Sequence, residues 1–257
     1  MPIINLFGRE LPVYGLSWLV GIAIAAVIAI FLFRRAKLDG FDLASSAIMI
    51  VIGAIVGAKL LFLAISLPQI IREDIPFMAY INGGFVFYGG LIGAMLALFI
   101  YVKKYKLPTF RFSDIFAVVA PLGHAVGRVG CHFGGCCYGM PYDGPGCVVY
   151  TERIGDSAPL GVPLFPVQLL EASLLTLLFV VLLVVYLRCK AEGTASFVYI
   201  VSYAVIRFIL EFFRGDMIRG IAWSLSTSQW ISIGLVAFSV TCLVMHKKKL
   251  KASAENE

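Results

Sequence analysis

Charge is what this 257-residue sequence has little of. Asp, Glu, Lys and Arg make up 14% of it and hydrophobic residues 60%, where a soluble domain carries about 25% charge. That scarcity excludes an ordinary soluble globular protein. Long polar stretches are also missing: the longest connection, about 132–164, spans only some thirty residues, which excludes a large soluble domain. The six cysteines include no Cys-x-x-Cys pair, so the usual zinc spacing is absent. No basic segment precedes the first apolar run, because Arg9 is offset by Glu10 and the basic cluster follows the run. The first run is therefore expected to be a membrane span and not a cleavable signal peptide. The basic residues sit in short connections instead of on one soluble face, which argues against a nucleic-acid partner.

What is present is a series of apolar runs. Seven are long enough to cross a bilayer core, which requires roughly 20 residues, near 12–33, 44–67, 84–102, 114–131, 165–187, 196–213 and 224–245. The spacing predicts an all-α integral membrane protein with seven transmembrane helices. Arg34, Arg35 and Lys37 follow the first run, and Lys103, Lys104, Lys106 and Arg111 follow the third. Arg188 and Lys190 follow the fifth; Lys247, Lys248, Lys249 and Lys251 follow the seventh. With seven spans these clusters fall on one side, which the positive-inside rule makes cytoplasmic. The N-terminus is then outside and the C-terminus cytoplasmic. Residues 1–246 read as a single polytopic domain with an extracytoplasmic Gly/Cys-rich loop at about 132–164, and 247–257 as a basic cytoplasmic tail.

Against this background six ionisable residues stand where lipid should be: Lys59, Arg128, Glu171, Arg207, Glu211 and Arg214. Each such charge mid-helix costs about 2.5–3.5 kcal/mol on insertion scales. By position along their spans all six lie towards the outer face, so one outward-facing polar chamber accounts for them together. Arg207, Glu211 and Arg214 stand at i, i+4 and i+7, one stripe of a helix on which Glu211 can bridge both guanidinium groups. A structural ion pair at the helix end is the simpler alternative. Arginine suits bidentate capture of phosphate, and lipid head groups supply phosphate at this depth.

The densest segment runs from Gly123 to Gly139, with five glycines from Gly127 onward arguing against regular helix past about Cys131. The pairs Gly53/Gly57 and Gly123/Gly127, with Gly89, Gly90 and Gly93, read as helix–helix contacts. Four cysteines, Cys131, Cys136, Cys137 and Cys147, fall on the outer side. Disulfides, a metal site with His132 and a redox-active Cys136–Cys137 pair compete for them. His124 precedes Arg128 by one turn and reads either as a general base or as a packed polar residue. Tyr14 and Tyr88 fit an interfacial aromatic belt.

Several segments together resemble the prolipoprotein diacylglyceryl transferase family, in that family's order and over most of the chain. Tyr14-Gly15-Leu16 opens the first span as the family's does. Tyr88-Gly89-Gly90-Leu91-Ile92-Gly93 is similar to its His-Gly-Gly-Leu-Ile-Gly motif. Gly127-Arg128-Val129-Gly130 is similar to the start of its signature Gly-Arg-x-Gly-Asn-Phe-x-Asn-x-Glu. Phe165-Pro166-Val167-Gln168-Leu169-Leu170-Glu171 resembles its Pro-x-Gln-Leu-Tyr-Glu segment, and Arg207-Phe208-Ile209-Leu210-Glu211-Phe212-Phe213-Arg214 its Arg-Phe-x-x-Glu-Phe-x-Arg motif. The chain departs from the pattern at Tyr88 (for His), Cys131 (Asn), His132 (Phe), Gly134 (Asn) and Cys136 (Glu).

The resemblance implies an enzyme of the bacterial cytoplasmic membrane with its active site on the extracytoplasmic side. Its reaction would move diacylglyceryl from phosphatidylglycerol to the lipobox cysteine thiol of a prolipoprotein, releasing glycerol phosphate, with no cofactor and no metal. Arg128 and Arg207 would hold the phosphate and Glu211 orient them, with Tyr88 or His124, and after them Glu171, as candidate bases. Tyr14, Arg128, Gly139, Glu171 and Arg214 would bind substrate. Two alternatives stand beside it: the same scaffold acting on another lipid or acceptor, and a membrane thiol oxidoreductase using the cysteines of 131–147.

Overall fold

The computed structural model describes residues 3–6, 9–73, 78, 84–152, 158–189, 191–216, 221–222 and 225–254. Its principal elements are seven helices: α1 (Val13–Arg35), α2 (Gly40–Glu73), α3 (Phe87–Lys104), α4 (Thr109–Phe133), α5 (Val167–Arg188), α6 (Thr194–Leu210) and α7 (Thr227–Ala254). Each coincides with one of the seven apolar runs. Among the described residues, five stretches are long and apolar enough to cross a membrane: Val13–Arg35, Gly40–Leu67, Thr109–Phe133, Val167–Arg188 and Thr194–Phe213. Within α7 the apolar stretch is shorter, Ser228–Thr241, and the lysines of the expected tail continue the helix as far as Ala254. Three antiparallel two-stranded ladders complete the described structure: Ile3–Leu6 with Arg9–Pro12, Val148–Val149 with Pro163–Leu164, and Ile221–Ala222 with Leu225–Ser226.

The chain divides into two compact units, Ala29–Phe112 and the remainder, Met1–Ile28 with Ser113–Glu257. In the first, α2 and α3 approach until their backbones touch. A Cβ built on Gly53, Gly57, Gly89 or Gly93 would collide with a backbone carbonyl of the facing helix. The glycines read as contact residues therefore are contact residues, because only backbone without a side chain fits. Phe33 meets Phe112 edge-on at 5.0 Å, and the Tyr101 hydroxyl donates to Asp42 at 3.0 Å. Lys59 belongs to this unit. Its ammonium donates to the Gly84 carbonyl at 3.4 Å and lies 5.1 Å and 5.0 Å from the Phe62 and Phe85 ring centroids, which stabilises the cation in an apolar setting.

The larger unit holds the other five misplaced charges. Here the glycine face of α4 lies on α1: Gly123 meets Gly21, Gly127 meets the Trp18 indole, and Gly130 meets Ser17. Asp114, near the start of α4, is buried and accepts from the Gly193 amide at 2.6 Å, the Ser196 amide at 2.8 Å and the Ser196 hydroxyl at 2.9 Å. No side chain of α6's own N-terminus caps it; α4 supplies the cap.

Two expectations about helix ends are corrected. Helix α4 continues to Phe133, two residues past the expected break at Cys131, and closes on Gly135 at φ 65°. The glycines beyond Gly130 terminate the helix and do not unwind it. Helix α6 ends at Leu210 and tightens into a 3₁₀ turn, Glu211–Phe213, after which Arg214 is extended at φ −86°, ψ 141°. The Arg207/Glu211/Arg214 stripe is therefore broken before its third member.

Candidate active site

Helix α5 begins at Val167, directly after Pro166, and its first turns carry Gln168 and Glu171 inward, at 2% and 1% exposure. Glu171 faces α4. One carboxylate oxygen lies 3.1 Å from Arg128 Nε and the other 3.8 Å from His124 Nε2. Because His124 and Arg128 are four residues apart on one helix, a single buried carboxylate reaches both. This promotes Glu171 from an accessory position to the centre of the constellation.

Helix α6 contributes the second ion pair. Arg207 Nη2 lies 2.6 Å from Glu211 Oε2 and donates to the Ser228 hydroxyl of α7 at 3.1 Å. Arg214, turned off the helix, forms a two-pronged pair with Asp216, Nε to Oδ1 at 2.9 Å and Nη2 to Oδ2 at 2.7 Å. The expected bridge from Glu211 to both arginines is thus replaced by one carboxylate for each, since the 3₁₀ turn carries Arg214 away from the helical stripe. His124 feels the charges of both Arg128 and Arg207, and Arg128 that of Arg214. Each guanidinium keeps one buried nitrogen that makes no hydrogen bond among the described residues: Arg128 Nε, Arg207 Nη1 and Arg214 Nη1. Both Glu171 oxygens are in the same condition despite the ion pairs.

The loop after α4 is fixed from several sides. Gln168 Nε2 donates to the Cys136 carbonyl at 2.9 Å, and the Tyr150 hydroxyl to the His132 carbonyl at 2.9 Å. Burial pushes the Tyr150 hydroxyl above its ordinary pKa. A seam of backbone hydrogen bonds joins Met140 to Phe213 and Phe165, each at 2.9 Å, and Gly215 to Tyr138 at 3.1 Å. Gly139 lies at its centre, bridged to Arg214, where an added Cβ would strike the Phe165 carbonyl. Its role here is close packing that fixes the backbone of Arg214.

Cys131, Cys136 and Cys137 place their sulfur atoms within 4.8 Å of one another. These three, with Cys147 and Cys189, are free thiols, so the disulfide reading has no bond behind it among the described residues. Hydrogen bonds from the Cys131 and Cys136 thiols, then the charges of Arg214 and Arg128, pull the Cys137 thiol far below its ordinary pKa.

Of the other expected site residues, Tyr14 stands partly exposed at the start of α1, its ring beside Gly134. Tyr88 lies in the first turn of α3, and its side chain is outside the described residues. Sequence reasoning missed four contributors: Gln168, Tyr150, Asp216 and Ser228. Asp216, two residues from a known cation, carried a usable signal. Ser228 carried none.

The family model described as prolipoprotein diacylglyceryl transferase matches residues 2–245. A phosphatidylglycerol–prolipoprotein diacylglyceryl transferase of Clostridium tetani is 33% identical over 244 residues, covering 92% of this chain and 95% of the relative. A second, from Clostridium perfringens, is 30% identical over 255 residues, covering 98% and 96%. The protein of that name from Bordetella parapertussis is 31% identical over 234 residues, covering 87% and 86%.

Proposed function

Because the chain belongs to the prolipoprotein diacylglyceryl transferase family, we propose that it transfers diacylglyceryl from phosphatidylglycerol to the lipobox cysteine of prolipoproteins. It is a membrane-bound transferase of that family; the lipid donor, the acceptor and the residue roles are the proposal. The observation that carries it is the set of three guanidinium groups, Arg128, Arg207 and Arg214, each largely withdrawn from solvent and paired with a carboxylate, with Arg207 Nη1 and Arg214 Nη1 buried and making no hydrogen bond among the described residues. Cations so prepared suit an oxygen-rich dianion and gain most as its charge grows.

In the reaction, His124 takes the proton of the acceptor thiol, with Glu171 holding the imidazole and stabilising its positive form. The thiolate attacks the glyceryl carbon that bears the phosphate. A C–S bond forms, the C–O bond to phosphate breaks, and its electron pair leaves with glycerol phosphate. Arg128 and Arg207 stabilise that departing charge, and Arg214, set in place by the Gly139 seam, completes the phosphate site. Glu211 and Ser228 fix Arg207. Tyr14, partly exposed at the start of α1, is assigned to the bound lipid. The site opens on the extracytoplasmic side of a bacterial cytoplasmic membrane, supported by basic residues in the last turns of α1, α3 and α5.

The test is incubation of the purified protein with phosphatidylglycerol and a lipobox peptide, read by mass spectrometry. A diacylglyceryl peptide is expected, and Arg128→Ala should lower kcat by about 100-fold or more. If Arg128→Ala remains active while serine at Cys136 and Cys137 abolishes turnover, thiol chemistry replaces this reading. A modified acceptor other than the lipobox peptide would favour the same scaffold with a different substrate.

A further inference from the structure

The loop that leaves α4 gathers three thiols that the transferase chemistry does not use. Cys131 is on the last turns of the helix, while Cys136 and Cys137 follow the Gly134–Gly135 turn that reverses the chain. Their positions are fixed independently. The Cys136 amide donates to the Cys131 carbonyl at 3.2 Å, and Gln168 holds the Cys136 carbonyl at 2.9 Å. Cys137 adopts φ 55°, a left-handed conformation costing an L-residue about 1–2 kcal/mol. Strain of this kind persists where surrounding structure enforces it, and it marks functional positions. Its effect here is to bring a third sulfur to the other two, all within 4.8 Å of one another.

We infer that Cys131, Cys136 and Cys137 form a binding site for one soft monovalent cation, copper(I), held by three thiolate sulfurs. Ligand type and number select this ion. Thiolates favour copper(I) and zinc, but structural zinc takes four ligands in a tetrahedron. Among the described residues no His, Asp or Glu joins the three sulfurs. Metal–sulfur bonds of about 2.3 Å put the sulfurs of a three-coordinate ion roughly 4 Å apart, so side-chain rotations of under an ångström close the site. Binding releases the thiol protons and leaves one copper(I) on three thiolates, a net double negative charge. The charges of Arg214 and Arg128 both act on the Cys137 sulfur, so two cations stand ready to balance it. The site shares Arg128 and Arg214 with the proposed lipid reaction, but copper retention is read without that reaction.

The experiment uses full-length protein in detergent, reduced and kept anaerobic, with copper(I) partitioned against a chromogenic copper(I) chelator. One equivalent withheld from the chelator is expected for the wild type and for Cys189→Ser, whose thiol is exposed and outside the group. Cys137→Ser and the triple serine variant should hold copper at least about 100-fold more weakly. X-ray absorption on the wild-type copper form should give three sulfur neighbours, and this measurement needs no variant to fold. A wild type that yields all its copper to the chelator overturns the inference. So does equal retention by a folded triple variant, or a metal shell made chiefly of nitrogen and oxygen.

Discussion

Glu171 is where single side chains matter most, because one buried carboxylate serves two partners. Glu171→Gln preserves its shape and removes its charge, leaving Arg128 buried without a counterion. Breaking a buried pair in this way costs about 3–5 kcal/mol. The expected outcome is a lower detergent melting temperature together with a kcat reduced at least tenfold, measured on the same preparation. Ser228→Ala is milder: Arg207 loses one acceptor but keeps Glu211 at 2.6 Å. It should cost about 1–2 kcal/mol, read as a loss of roughly tenfold in kcat/KM with the melting temperature nearly unchanged. At this scale the sequence revealed charges but not their pairings. Arg128 and Glu171 stood out because lipid makes any charge conspicuous. That they pair with each other, and Arg214 with Asp216, depends on a helix end and a helix-to-helix approach that spacing alone does not encode.

The helices were legible from runs of apolar sequence bounded by charge or turn residues, although α2 and α7 run on past those bounds to Glu73 and Ala254. The failures occur where a local rule competes with tertiary packing. Five glycines from Gly127 to Gly139 suggested early unwinding, yet α4 continues to Phe133, its glycine face packed on Ser17, Trp18 and Gly21 of α1. In α6 the periodic stripe extended past the true end at Leu210. Two predictions belong to elements. Asp114→Ala removes the cap that α4 provides for α6 and should lower stability by about 1–2 kcal/mol in detergent unfolding. Gly57→Leu pushes α2 from α3, where even a Cβ meets the Gly89 carbonyl. It should abolish the monodisperse folded peak in size-exclusion chromatography, whereas Gly40→Ala, in open space, should leave that peak unchanged.

For the whole molecule, the proposed orientation rests on the basic residues ending α1, α3 and α5. Alkaline phosphatase fused after Lys37, Lys104 or Arg188 should be inactive in cells, and fused after Gly144 active. The opposite pattern would invert the membrane placement and move the site to the cytoplasmic face. The seam around Gly139 carries a consequence for how the protein is made. Residues 138–142 hydrogen-bond both to 163–165 and to 213–215, so the seam cannot close until the chain beyond α6 has left the ribosome. Until then Arg128 and Glu171 have each other, but the cluster lacks Arg207 and Arg214. The cluster is therefore complete only late in biogenesis, and a half-inserted chain carries only part of it.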